Sequence, residues 1–106
     1  MNQTMLQQRL NVDPDVIAEF CRKHHISRLA FFGSVLRDDF NPESDIDVLV
    51  DFEPGHIPGM MAIIGMELEF SEFMNGRKVD LRTAKDLSRY FRAEVVATAD
   101  VWYDAA

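Results

Sequence analysis

Hydrophobic positions along the chain switch between helical spacing and strand-like runs, and short polar or Pro/Gly-rich breaks separate them. Val16, Ile17, Phe20 and Cys21 recur at helical spacing. Asp13-Pro14 ahead of them supplies an N-cap and a proline at the first helical position, which predicts an amphipathic helix over 14–24. Leu29-Ala30-Phe31-Phe32 is a continuous apolar run and predicts strand one over 28–32. Gly33-Ser34 then turns the chain into a short helical piece ending near Asp38, and residues 39–43 form a loop around Asn41-Pro42. Strand two is expected over 45–52, stopping at the Pro/Gly-rich stretch from Glu53 to Gly59. A second helix follows over 59–74, with Asn75-Gly76 as its stop. A short strand over 78–82, a helix over 86–97 and an edge strand over 100–103 complete the series. Residues 1–12 are polar with scattered Met5, Leu6 and Leu10, and predict a frayed helix.

The order of elements predicts an α/β (α+β) fold, a small mixed sheet of about four strands with helices packed mainly on one face. No repeat or long linker divides the chain, so residues 1–106 are expected to form one domain. The helix over 59–74 is unusual. Its apolar residues, from Met60 and Met61 through Ile64 and Leu68 to Phe73, cover well over half of its circumference. One core-facing stripe needs only a little over ~100°. Either this helix is buried deeply between sheet and neighbours, or its methionine-rich excess face docks onto a partner or a second copy. Trp102 and Tyr103 near the C-terminus could join such an interface, giving a hetero-oligomer through helix 59–74 and the C-terminal residues. Glu67, Glu69 and Glu72 read as its solvated face, His24 and His25 as a helix end suited to the dipole, and His56 as a loop residue.

Charge and cysteine content narrow the classes of function. Eleven Lys and Arg against eighteen Asp and Glu give a net charge of −7. Nucleic-acid binding draws on a basic surface, so direct contact with a polynucleotide is disfavoured and a basic protein partner is more natural. One cysteine forms no internal disulfide, and Cys21 reads as a core filler. No apolar run approaches the ~20 residues of a membrane span, and no secretory pattern opens the chain. The expectation is a cytoplasmic protein without a membrane partner.

The candidate chemistry lies in residues 33–50. Strand side chains alternate faces, so Asp45 and Asp47 point together while Ile46 and Val48 face the core. Two adjacent carboxylates repel unless a cation or proton sits between them, and hard oxygen ligands suit Mg²⁺ bridging to substrate phosphates. Asp80, in Val79-Asp80-Leu81-Arg82, is the candidate third acid from a neighbouring strand. Three carboxylates around two metal ions suit in-line displacement at phosphorus. Gly33 lets the backbone approach a triphosphate, Ser34 adds a hydroxyl, and Arg37 and Ser44 lie near enough in sequence to add phosphate contacts. An EF-hand would need glycine and glutamate where the chain has Val50 and His56, and the Gly-Ser element lacks the lysine of a Walker loop.

Phe32-Gly33-Ser34, ten residues, then Asp45-Ile46-Asp47 resembles the signature of the DNA polymerase β-like nucleotidyltransferases. The short chain is similar to their minimal nucleotidyltransferase (MNT) antitoxins, which are paired with HEPN-domain toxins. The resemblance implies ATP as donor, two Mg²⁺, and transfer of AMP to a hydroxyl, a tyrosine of the cognate HEPN toxin RNase. It implies that Gly33 and Ser34 bind the triphosphate, that Asp45 and Asp47 hold both metals, and that Asp80 is the third ligand and helps activate the acceptor. The alternative is an antitoxin that neutralises its toxin by binding alone. Transfer to a drug or metabolite is a third reading, disfavoured because no acceptor-binding domain is evident.

Overall fold

The computed structural model describes residues 10, 12–36, 41 and 43–105. In chain order the elements are α1 (Pro14–Lys23), β1 (Ile26–Phe32), a 3-10 turn (Gly33–Leu36), β2 (Ile46–Phe52), α2 (Met60–Phe73), β3 (Val79–Arg82), a second 3-10 turn (Ala84–Asp86), α3 (Arg89–Thr98) and β4 (Asp100–Asp104). The four strands make one sheet in the order β3-β2-β1-β4. β1 runs antiparallel to both neighbours, and β3 runs parallel to β2 because α2 carries the chain back to the sheet's starting end. The mixed sheet agrees with the expected fold class. The frayed helix over 1–12 lies outside the described residues apart from Leu10 and Val12, which are both buried.

Local signals explain most boundaries. The Asp13 carboxylate accepts a hydrogen bond from the Asp15 N–H at 2.9 Å, capping α1 with Pro14 in its first turn. His24 ends that helix, and His25 takes a left-handed φ of 57°, so the chain reverses directly into β1 at Ile26. The strand therefore begins two residues before the expected 28. Asn75 and Gly76 close α2 with φ values of 59° and 81°.

One sheet face carries Leu29, Phe31, Ile46, Val48 and Val50, all buried beneath α1 and α2. Aromatic rings tie the layers together. Phe20 of α1 meets Phe70 of α2 edge-on at 5.1 Å, Phe70 meets Phe31 of β1 at 6.2 Å, and Phe31 meets Trp102 of β4 at 5.3 Å. Trp102 is thus a core residue and its ring is not available to an interface. Cys21 is fully buried, and burial pushes its thiol up to about 12, which makes it the inert filler expected.

The glutamates of α2 depart from the solvated-face reading. Glu69 reaches α1, where its carboxylate meets the Lys23 ammonium at 3.2 Å and His24 Nε2 at 3.1 Å. Glu67 Oε2 accepts the Leu81 N–H at 2.8 Å, satisfying a donor on the edge strand β3. Of the three, Glu72 alone is exposed.

The opposite sheet face is largely open. α3 stands on that side, over a hollow of about 200 Å³ lined by Arg28, Ala30, Leu49, Asp51, Val96 and Ala99. None of its residues is buried. It is held by the Ser88 cap and by Arg92, whose guanidinium donates to the carbonyls of Ala84 at 2.7 Å and Leu87 at 3.2 Å. The helix expected over 86–97 is α3, which begins three residues later at Arg89, with the 3-10 turn just ahead of it. A capping box between Thr83 and Asp86 starts the 3-10 turn, and Ser88 starts α3.

Candidate active site

The alternation in β2 places Ile46 and Val48 in the core, fully buried, and leaves Asp45 exposed and Asp47 half-buried on the other side. Asp47 is the hinge of the arrangement. On one side it pairs with Phe32, the last residue of β1, and on the other with Asp80 of β3. Adjacent strands lie about 4.8 Å apart, so the two half-buried aspartates stand side by side on the open face. Gly33 follows Phe32 and turns with φ of 78°. A Cβ at this position would overlap the Asp47 carboxylate oxygen. Glycine is therefore required twice here, by the left-handed backbone and by the close approach of the acid.

Asp45 sits one residue before β2, at the mouth of the face. Lys78 occupies the matching position before β3, because the Ile46 N–H donates to the Lys78 carbonyl at 2.9 Å. The Lys78 ammonium lies 3.9 Å from Asp45 Oδ2. Both side chains are well exposed, so the pair is screened by water. Arg77 beside it donates to the carbonyls of Asn41 and of Ser44, at 3.1 Å for the latter, and anchors the loop that delivers Asp45. Sequence reading missed both cations. The parallel register offered the signal, since residues 78 and 80 must flank 45 and 47 once β3 is paired beside β2.

Of the remaining candidates, the Ser44 hydroxyl accepts the Asn41 N–H at 3.2 Å and so helps shape this loop. Ser34 is the second residue of the 3-10 turn that Gly33 opens. Arg37 lies outside the described residues. The structure thus brings Gly33, Asp47 and Asp80 together, with Asp45 at the entrance.

Hard carboxylate oxygens on one exposed face suit a divalent cation such as Mg²⁺, which is commonly held by one or two protein carboxylates completed by substrate phosphates and water. Among the described residues no three His, Cys, Asp or Glu side chains form a group that could hold a metal on their own. Asp45, Asp47 and Asp80 supply hard oxygen donors of the kind that suits an ion whose other ligands are phosphates and water.

Two grooves flank the acids. One, of about 530 Å³, lies between the Gly33 turn and α3 and is lined by Phe32, Gly33, Leu36, Leu87, Phe91 and Val95 among others. The other, of about 550 Å³, runs between α2 and β3 and includes Asp80.

The model of the nucleotidyltransferase domain family matches residues 14–101, a span that holds every element of this site. The chain belongs to the nucleotidyltransferase domain family. A Methanocaldococcus jannaschii protein provisionally named a protein adenylyltransferase is 35% identical over 65 residues, which is 61% of this chain and 64% of that protein. The protein adenylyltransferase MntA of Thermococcus cleftensis is 36% identical over 63 residues, 59% of this chain and 61% of MntA. The matched stretch thus spans a little over three fifths of either relative. A solved structure provisionally described as a minimal nucleotidyltransferase superposes with a TM-score of 0.68 at 27% identity, covering 93% of this chain and 94% of that one. A chain from a crystal structure described as a toxin-antitoxin with AMP-PNP shares the nucleotidyltransferase fold at 18% identity and a TM-score of 0.70, covering 88% of this chain and 74% of that one. The resemblance read from Gly33-Ser34 and Asp45-Ile46-Asp47 is borne out at the level of family and fold. No helix among the described residues is long and apolar enough to cross a membrane.

Proposed function

We propose that this nucleotidyltransferase is a Mg²⁺-dependent protein adenylyltransferase that moves AMP from ATP to a hydroxyl, a tyrosine, on a cognate HEPN toxin, and so acts as its antitoxin. One observation carries the reading: Asp47 and Asp80 stand in register on an open sheet face, with Gly33 packed against Asp47. The names of the adenylyltransferase relatives support the choice of AMP and of a protein acceptor.

In this reading the turn at Gly33 and Ser34 receives the triphosphate, and Arg37 and Ser44 add phosphate contacts. Asp45 and Asp47, with Asp80, would hold two Mg²⁺ together with substrate phosphates; when bound, the ions neutralise phosphate charge and lower the pKa of the attacking hydroxyl. The acceptor oxygen attacks the α-phosphorus as the bond to the β-phosphate oxygen breaks, and pyrophosphate leaves. The hydroxyl proton passes to Asp80, the acid nearest the second groove. The acceptor comes from outside, because the open face does not enclose a small substrate.

A second reading has its own observation. Met60, Met61 and Leu68 of α2 are 80%, 80% and 67% exposed, an apolar surface suited to masking a toxin by binding alone. Intact-mass measurement of the partner separates the two. Incubation with ATP and Mg²⁺ should add one or more AMP masses to the toxin, and Asp45→Asn or Asp47→Asn should abolish the addition while the fold stays intact. Neutralisation of the toxin without any mass change would overturn the catalytic reading.

A further inference from the structure

The groove between α2 and β3 has a wall whose exposure the fold does not explain. Ile57, Met60 and Ile64 form its outer rim, and Ile57 and Met60 are 78% and 80% exposed. Its inner lining carries three carboxylates, Glu67, Asp80 and Asp86, against one described cation, Arg82. Glu67 and Asp86 accept backbone N–H bonds from Leu81 and Thr83, which fixes the position of these carboxylates in the wall. The groove is therefore apolar along one side, acidic along the other, and reaches the site at Asp80.

We infer that this groove seats the segment of a partner protein that carries the acceptor hydroxyl, and that this segment is aliphatic with flanking arginine or lysine residues. The inference rests on the transfer reading above and adds the acceptor's route and chemistry. Aliphatic side chains would cover Ile57, Met60 and Ile64, and methionine adapts its shape to such a partner. Basic side chains would meet the carboxylates opposite. A hydroxyl carried along the groove arrives at Asp80, in register with Asp47. A second copy of this chain does not fit, because it would bring another net charge of −7 and its own Glu67, Asp80 and Asp86 against the same wall.

The test uses two fluorescein-labelled peptides with a central tyrosine. One has leucine and arginine neighbours; the other has glutamate in place of each arginine. Fluorescence anisotropy with the full chain should show saturable binding of the basic peptide alone. The double variant Met60→Asp/Ile64→Asp should bind it at least about tenfold more weakly, while a fluorescent ATP analogue binds as before. Placement is checked independently by disulfide capture of a cysteine-bearing basic peptide, expected with Ile57→Cys and not with Glu19→Cys on α1. Equal binding of both peptides, no saturable binding, unchanged binding by the double variant, or equal capture at both positions overturns the groove assignment. Failure of the transfer reading looks different. The wild-type chain would then bind the basic peptide in the groove yet leave the toxin's mass unchanged in the presence of ATP.

Discussion

Gly33 and Asp47 interlock: the space a Cβ would take at the glycine is already filled by the aspartate's carboxylate oxygen. Gly33→Ala therefore meets two penalties at once, the left-handed φ of 78° and displacement of the acid. We expect a loss of stability of about 1–2 kcal/mol and a far larger fractional loss of AMP transfer, because the carboxylate that moves belongs to the site. Urea unfolding and transfer assays on the same preparation check this. A variant that melts lower yet transfers AMP normally would contradict it.

Asp80 and Asp47 share a face but are assigned different work. Asp80→Asn keeps the size of the side chain but removes its charge, and with it both the base and a carboxylate ligand for the ions. Initial rates at saturating ATP should fall about a hundredfold or more, with a smaller effect on ATP binding. A variant with unchanged rate and weakened nucleotide binding would move Asp80 from the acceptor side to the donor side.

Glu69 links α2 to α1 and gives the fold an acid-sensitive contact. Burial opposes its ionisation, but the hydrogen bonds and charges of His24 and Lys23 outweigh it and hold the carboxyl below the usual glutamate range. A group lowered in the folded state contributes fully above its unfolded value and loses that contribution as pH falls through the folded one. Glu69→Gln should therefore cost about 1 kcal/mol at most near neutral pH, and the difference from wild type should shrink below about pH 4. Thermal melting across that range measures it.

Phe70 joins Phe20, Phe31 and Phe73 at the centre of the core. Phe70→Ala should cost about 3–5 kcal/mol, read from urea unfolding followed by Trp102 fluorescence. A cost under that of a surface substitution would mean that α2 packs less firmly than the ring contacts indicate.

Short-range chemistry was readable in advance. Asp13-Pro14 and Asn75-Gly76 mark helix ends through local geometry, and the alternation from Asp45 to Val50 fixes which side of β2 faces the core. What escaped depended on partners distant in sequence. Glu67 and Glu69 look like surface residues until β3 and α1 come alongside, 14 and 46 positions away. Lys78 and Arg77 gain meaning only from the parallel pairing of β2 with β3. The later start of α3 was legible in the sequence: Thr83 with Asp86, and Ser88 two residues later, are each capping signals, so a 3-10 turn precedes the helix. Gly33 shows the same limit within the site. Its turn was evident from the sequence, whereas its packing against Asp47 follows only from Phe32 pairing across the sheet with that residue.

α3 contributes no buried side chain, yet Phe91 and Val95 form one wall of the groove beside Gly33. Its backbone bonds are guarded by solvent-facing residues and a few caps, so its opening free energy lies far below that of β1, whose core face is sealed. Amide hydrogens in α3 should exchange orders of magnitude faster than those of Leu29 and Phe31. Any nucleotide that leans on Phe91 must first still this helix, and its measured affinity will be the intrinsic one reduced by the fraction of molecules in which α3 is already in place.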